Sequence, residues 1–227
     1  ATYGLSRGHK AVASYDEDAI TMAVAAGADC LRGVRRRDVD GLYLGSTTLP
    51  FTERQGAPIV STALDLRPDV RAADFANSHR AGTTALIAAL DAATRGKTVL
   101  VTAADCRVAK PGGNEEYLYG DGAAAVLVGE SDDAIAQVTG SYSEAHDFAD
   151  AIREPGATAA RGWEERWVKV EGFGKLLPGA IAAFLKQSGQ ELADFAKVIF
   201  PCRFARDHAG IGKRLGLTPE QVQQPLM

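Results

Sequence analysis

Features that would point to a disulfide scaffold, a zinc site or a membrane protein are scarce in this sequence. The 227 residues include three cysteines, which are odd in number, far apart and without a Cys-x-x-Cys spacing: Cys30, Cys106 and Cys202. No apolar run approaches the roughly 18–20 residues of a membrane span, and no signal-peptide pattern is present. These absences predict a protein of the reducing cytoplasm that holds no metal.

Positive charge is not concentrated in any part of the chain. The formal net charge is −4, with 25 Lys and Arg against 29 Asp and Glu, and the cations are scattered. Binding to a nucleic-acid backbone needs a concentrated basic face, so nucleic acid is not expected as the main partner. The basic run Arg35–Arg37 follows a predicted helix, where the helix dipole favours positive charge.

Alternating helices and strands are predicted along most of the chain. Apolar residues at helical spacing with closing glycines or basic residues predict helices over 16–33, 57–66, 80–96, 176–189 and from about 209 to the end. Apolar runs, several of them continuous as in strands buried on both faces of a sheet, predict strands over 38–46, 70–77, 98–105, 120–131, 134–144 and 196–201. The pattern predicts a layered α/β protein with a sizeable core.

One junction in this pattern is a candidate position for a catalytic side chain. In DFANSHRAGTTAL, Asp74–Leu86, a strand-like approach runs through Asn-Ser-His-Arg into a helix. Such an elbow exposes one side chain beside a helix N-terminus, which favours negative charge. His79, with an ordinary pKa of about 6.5, is a candidate general base or hydrogen-bond donor; alternatively it only fills space. A Ser78–His79 pair is not expected, because neighbouring residues at a sharp turn point in different directions.

The order of several motifs resembles a known family. KAVASYDEDAITMAVAA, DVDGLYLGSTT, DFANSHRAGTTAL, VLVTAADCR and GDGAAAVLVG are followed by VIFP and KRLGLTPEQV. Together they resemble the hydroxymethylglutaryl-CoA synthase branch of the thiolase superfamily, which is similar to β-ketoacyl-ACP synthase III. The resemblance implies a five-layer α-β-α-β-α fold, here as halves 1–132 and 133–227, and usually a dimer. It also implies acyl transfer through a cysteine, with a glutamate as general acid/base and a histidine at the thioester carbonyl.

This sequence departs from the family at all three catalytic positions. His79 takes the place of the cysteine, Thr47 that of the glutamate, and Pro201 that of the oxyanion histidine. Cys202, beside Pro201, is a candidate displaced nucleophile, although nothing near it in sequence activates it. Cys106 ends a predicted buried strand and is expected to be a small core residue.

Three further residues near these positions have mainly structural interpretations. Glu53 is a candidate for the missing carboxylate, with a solvated surface position as the expected alternative. Asp207 is expected to cap the last helix, and His208 to lie on the surface.

The resemblance also implies that the second half is incomplete at its C-terminus. Family members continue beyond LGLTPEQV, whereas this chain stops at Met227. A sheet without its closing strands exposes an unpaired edge. Either a partner covers that edge, or the chain is part of a longer product.

Two functions therefore remain open. In the first, favoured by the missing catalytic set, the chain is a subunit of an acyl-CoA-processing complex that forms or cleaves carbon–carbon bonds. Its partner would be a thiolase-fold subunit, in a homo- or hetero-oligomer, or a small zinc-ribbon/OB-fold protein. In the second, the chain is itself an acyltransferase, thiolase or aldolase-type enzyme that uses non-standard residues around His79. Either way a coenzyme A thioester is the expected substrate, without a covalently bound cofactor.

Overall fold

A computed structural model describes residues 9–202 and 207–223 of the chain. These residues divide into two compact units. The first is built from residues up to 108 and from 114 to 135, and the second from 109–113 and from 136 onward.

The first unit contains a four-stranded mixed sheet. Its strands are β1 (Gly41–Gly45), β2 (Arg71–Phe75), β3 (Val99–Asp105) and β4 (Gly122–Val128), in the order β2-β1-β3-β4. Strand β1 is parallel to β2 and β3, whereas β4 is antiparallel to β3. Gly45 lies opposite Phe75 in β2 and Ala103 in β3, so the carboxyl ends of the three parallel strands share one edge of the sheet.

The helices of this unit are α1 (Ala19–Cys30), α2 (Ala57–Ala63), α3 (Ala81–Ala93) and the short α4 (Asn114–Leu118). Helix α1 begins with a capping box in which Asp18 and Thr21 bond each other's backbone N–H. Helix α2 begins where Asp74, at the end of β2, accepts hydrogen bonds from the backbone N of Gly56 and of Ala57, at 2.6 and 2.7 Å. A sheet side chain thus fixes a helix start.

Two apolar clusters hold these elements together on the two faces of the sheet. Large side chains of α1, α2 and the sheet form the first cluster, which includes Leu31, Leu42, Leu44, Val60 and Leu100. Helix α3 packs on the other face through Ala85, Ala89 and Ala92, against Val99, Val101 and Val128. Alanines at this helical spacing let the helix axis approach the strands closely, and that approach shapes the site described below.

The second unit is mainly helical. It contains a two-stranded antiparallel ribbon of β5 (Ala151–Ile152) and β6 (Arg161–Gly162). A continuous helical stretch follows, made of α5 (Glu165–Trp167), a π-helix (Val168–Leu176) and α6 (Leu177–Ser188); α7 (His208–Arg214) comes later. Its apolar core comprises Phe200, Ile211, Leu217 and Val222.

Two predicted strands of the second half are wrong. Residues 134–144 have no regular secondary structure, and within 196–201 only Val198 forms a bridge, to Val222. A buried strand needs neighbouring strands to pair its backbone, and the described part of this unit offers only the two-residue strands β5 and β6. Both segments contain the apolar run that suggested a strand, but in the described residues no neighbouring strand pairs with their backbone.

The expectation for His208 is also wrong, and the one for Asp207 is confirmed only in its position. Asp207 stands at the start of α7, but its side chain makes no capping bond; it forms an ion pair with Lys169, with Oδ2 2.6 Å from Nζ. His208 is buried, and its ring stacks on Phe200 with 4.4 Å between centroids. The apolar body of the imidazole explains this packing.

Candidate functional site

The predicted elbow lies between β2 and α3. Asn77 has a positive φ of 61°, a left-handed conformation that asparagine tolerates better than most residues. The chain turns there, and the carbonyl of Ser78 accepts from the backbone N of Ala81 at 2.9 Å, which closes the first turn of α3. His79 and Arg80 thus stand directly before the helix.

The start of α3 is pressed against the end of β1. A Cβ atom built on Gly45 would meet the backbone of Gly82 at 2.6 Å, and one built on Gly82 would meet the Cβ of Ala103 at 3.1 Å. Only glycine fits such a backbone contact at Gly45. The contact brings the elbow to the edge where the parallel strands end.

An open cleft of about 620 Å³ lies at this edge. Its polar wall includes Ser46, Ser78, His79 and Asp105, from three different loops or strand ends. Its apolar wall is formed by side chains of α3, β3 and β4, including Leu86, Val101 and Val126. The exposed imidazole of His79 therefore borders a cleft with one polar and one apolar side, an arrangement typical of ligand sites.

Asp105 organises the polar wall. Its Oδ1 accepts four hydrogen bonds, from Ser46 Oγ (3.0 Å), the backbone N and Oγ1 of Thr47 (2.7 and 3.0 Å) and Thr48 Oγ1 (3.0 Å). Among the described residues, the second oxygen, Oδ2, has no hydrogen-bond partner. The carboxylate thus holds the loop after β1 with one oxygen, and its second oxygen is available to accept a hydrogen bond or a proton from a ligand.

The structure separates the roles predicted for Ser78 and Thr47. The Ser78 hydroxyl accepts from the backbone N of Arg80 at 3.3 Å. Thr47 does not line the cleft itself, but its hydroxyl donates to Asp105, which does. Glu53 is exposed and lies outside the cleft lining.

Among the residues that the structure describes, no cysteine lines the cleft. Cys106 is half-buried directly after β3 and packs against the first apolar cluster. Burial raises the pKa of its thiol and of the Cys30 thiol. Since the thiolate is the reactive form, both are poor nucleophiles.

The other two predicted site residues belong to the second unit. Pro201 is exposed, and the half-buried Cys202 packs against the apolar core of that unit. The functional roles predicted for both residues stay predictions.

Within the described ranges, no three His, Cys, Asp or Glu side chains cluster closely enough to hold a metal ion. In the same ranges, every helix is too short or too polar to cross a bilayer.

Sequence reasoning missed Asp105 and Ser46. In the sequence, Ser46 is the last residue of the predicted strand 38–46, and Asp105 is the last residue of the predicted strand 98–105, 59 positions later. Parallel pairing of β1 with β3 brings these ends together. The available signal was that two strands with polar ends lie side by side.

Comparisons with known proteins show what the chain is similar to. No family model matches it. It is 30% identical to a hydroxymethylglutaryl-CoA synthase of Methanosphaera stadtmanae over 99% of its own length and 65% of that protein's. The chain thus spans slightly less than two thirds of this curated relative.

Two solved structures extend the comparison to the fold. MvaS in complex with 3-hydroxy-3-methylglutaryl coenzyme A has a TM-score of 0.79 and 23% identity, covering 94% of this chain and 55% of MvaS. Xanthomonas campestris OleA with bound lauric acid and lauroyl-CoA has a TM-score of 0.77 and 21% identity, covering 94% of this chain and 70% of OleA. At these sequence identities the two structures are evidence for the fold alone.

Proposed function

We propose that this chain, which is similar to hydroxymethylglutaryl-CoA synthases in sequence and to thiolase-like structures in fold, is a subunit of an acyl-CoA-processing complex. The complex forms or cleaves a carbon–carbon bond next to a coenzyme A thioester, and this chain contributes no cysteine nucleophile. The chain spans 65% of the length of that relative.

The observation that carries the proposal is the place of His79. It stands at the start of α3 and borders the cleft, where the resemblance places the acyl-carrying cysteine. An imidazole can accept a proton or donate a hydrogen bond, but it does not form the thioester that a cysteine would. The raised thiol pKa of Cys106, the nearest cysteine in sequence, leaves no ready substitute there.

The shape and chemistry of the cleft support an acyl thioester as its ligand. The apolar wall at Leu86, Val101 and Val126 suits an acyl chain, and the polar wall suits a thioester carbonyl. The bound hydroxymethylglutaryl-CoA of MvaS and the bound lauroyl-CoA of OleA show that relatives of this fold take such ligands.

The proposed partner is a second thiolase-fold subunit or a small zinc-ribbon/OB-fold protein. The role of such a partner would be to supply the catalytic residue types absent at His79, Thr47 and Pro201 and to complete the acyl-CoA site.

A second candidate function is favoured by Asp105. Its unpartnered Oδ2 and the His79 imidazole border the same cleft, which offers acid/base chemistry without a covalent intermediate. In a retro-aldol cleavage, a base takes the proton of a β-hydroxyl, the carbon–carbon bond breaks into a carbonyl and an enolate thioester, and the enolate is then protonated. Asp105 would be the base and His79 the donor to the enolate oxygen.

The test is to purify the full chain alone and with the proteins that copurify with it, and to measure native mass, release of free coenzyme A, and cleavage of a β-hydroxyacyl-CoA into a carbonyl compound and a shorter acyl-CoA. The subunit proposal predicts turnover by the complex and none by the chain alone. Turnover by the isolated chain that Asp105→Asn abolishes would replace it with the second candidate. If His79 takes part, His79→Ala removes turnover of the complex while its native mass stays the same; an unchanged rate would assign His79 to packing.

A further inference from the structure

A second cavity lies at the other edge of the sheet of the first unit. It has a volume of about 330 Å³ and sits at the amino ends of β1, β2 and β3, whereas the His79 cleft sits at their carboxyl ends. Four cationic side chains line it, Arg67, Arg71, Arg95 and Lys97, against two carboxylates, Asp40 and Asp69. The cavity therefore has an excess of positive charge.

Both carboxylates of this cavity are already engaged. Asp40 Oδ1 pairs with Arg67 Nη2 at 3.4 Å and with Lys97 Nζ at 3.5 Å, and its Oδ2 accepts from the backbone N of Thr98 at 3.0 Å. Asp69 Oδ2 pairs with Arg67 Nη1 at 3.1 Å. Among the described residues, neither carboxylate forms an ion pair with Arg71 or Arg95.

The cavity has more hydrogen-bond donors than acceptors. Arg67 Nε is buried and has no hydrogen-bond partner among the described residues, a state that carries a desolvation cost unless a ligand or water fills it. Arg71 and Arg95 form no ion pair within the same residues. Tyr43 also lines the cavity.

One local effect opposes an anion here. Helix α3 ends at Ala93, so its C-terminus points a partial negative charge of about half an elementary charge toward this region. That partial charge is smaller than the excess of two cations over the carboxylates, and it falls off within the last turn. The net field in the cavity remains positive.

We propose that this cavity binds a phosphoryl group, independently of the acyl-CoA chemistry proposed for the His79 cleft. Guanidinium groups bind phosphate oxygens in a bidentate geometry, and a phosphoryl group offers only acceptors. Its oxygens meet the unfilled donors of Arg67, Arg71 and Arg95. The volume also admits more than a bare phosphate, so the group can come from inorganic phosphate or from a phosphate ester.

The test measures binding of inorganic phosphate and of adenosine 5′-monophosphate to the full chain by calorimetry, at constant ionic strength because screening weakens such contacts. The double variant Arg71→Gln/Arg95→Gln is compared with Arg32→Gln/Arg37→Gln, which removes the same charge from exposed positions outside the cavity. We expect the cavity variant to bind at least about tenfold more weakly and the control to bind like the wild type.

The ligand that binds more tightly identifies the source of the phosphoryl group. Equal affinity of the two double variants, or no binding of either ligand to the wild type, would overturn the proposal. Lys97→Gln is a second, single-site check, and it should weaken binding in the same direction.

Discussion

The backbones of Gly45 and Gly82 are in direct contact. A Cβ atom on Gly45 would lie 2.6 Å from the Cα and 2.7 Å from the N of Gly82. No side chain fits between them. The end of β1 and the first turn of α3 can pack this closely only because both residues are glycine. His79, just before that turn, owes its place at the cleft to this contact.

We predict that Gly45→Ala destabilises the first unit. The new methyl group meets backbone atoms, which cannot rotate away, so α3 must shift; overpacking of this kind typically costs about 1–3 kcal/mol. Urea unfolding measures the free energy. Gly122→Ala is the control, because a Cβ there meets nothing within 4 Å and should change the stability by less than about 0.5 kcal/mol. Equal losses in both variants would contradict the backbone contact.

Asp105 is predicted to hold the loop after β1. Asp105→Ala leaves four donor groups without their acceptor, among them the hydroxyl of Ser46, which is only 2% exposed. A buried unsatisfied polar group costs about 1–3 kcal/mol, so the free energy of unfolding should fall by about 2–3 kcal/mol.

Asp105→Asn is the matched variant for that prediction, because its amide oxygen can still accept at the Oδ1 position. It should lose clearly less stability than Asp105→Ala in the same urea experiment. If both variants lose the same amount, the hydrogen bonds to Oδ1 do not stabilise the loop.

Asp40 makes stability depend on pH in the acid range. The hydrogen bond from Thr98 N, helped by the charges of Lys97 and Arg67, lowers the pKa of its carboxyl below the ordinary value of 3.8. A group with a lowered folded-state pKa stabilises the fold above its unfolded-state pKa, and that contribution is lost as the pH falls through the folded-state pKa.

The wild type should therefore exceed Asp40→Asn in urea midpoint at about pH 6, and this advantage should shrink toward about pH 3. The measurement is the difference between the two midpoints at several pH values. A difference that stays constant over that range would show that the Asp40 charge does not stabilise the fold.

The thiolase-like fold could be predicted from sequence and is confirmed, and the predicted resemblance agrees with the 30% identity to a hydroxymethylglutaryl-CoA synthase. In the first unit each predicted helix and strand is present, because its segments combine local propensity with pairing partners in the same unit; β3 and α3 are examples. The strands predicted over 134–144 and 196–201 failed because an apolar run shows that burial is favourable, not which backbone will pair with it. The division into halves at 132/133 stays a prediction.

The site was only partly accessible from sequence. The elbow at His79 could be found, since a strand, a polar turn and a small-residue helix follow each other directly along the chain. Asp105 could not, because its bonds to Ser46 and Thr47 join residues 59 and 58 positions apart and depend on the register of β1 with β3. His208 was wrongly predicted to lie on the surface because histidine was treated as a polar residue. Its flat imidazole face instead packs on Phe200.

The most direct test of the account is intact-mass measurement of the full chain after incubation with acetyl-CoA. If the elbow is an acyl-thioester site in which imidazole replaces a thiol, the wild type gains no acyl group, whereas His79→Cys gains one, mapped to position 79 by peptide analysis. The matched variant Ser78→Cys, whose side chain is turned toward the backbone of Arg80, should gain much less. An acyl group on Ser78 or Cys202 of the wild type, or none on the His79→Cys variant, would contradict the central claim.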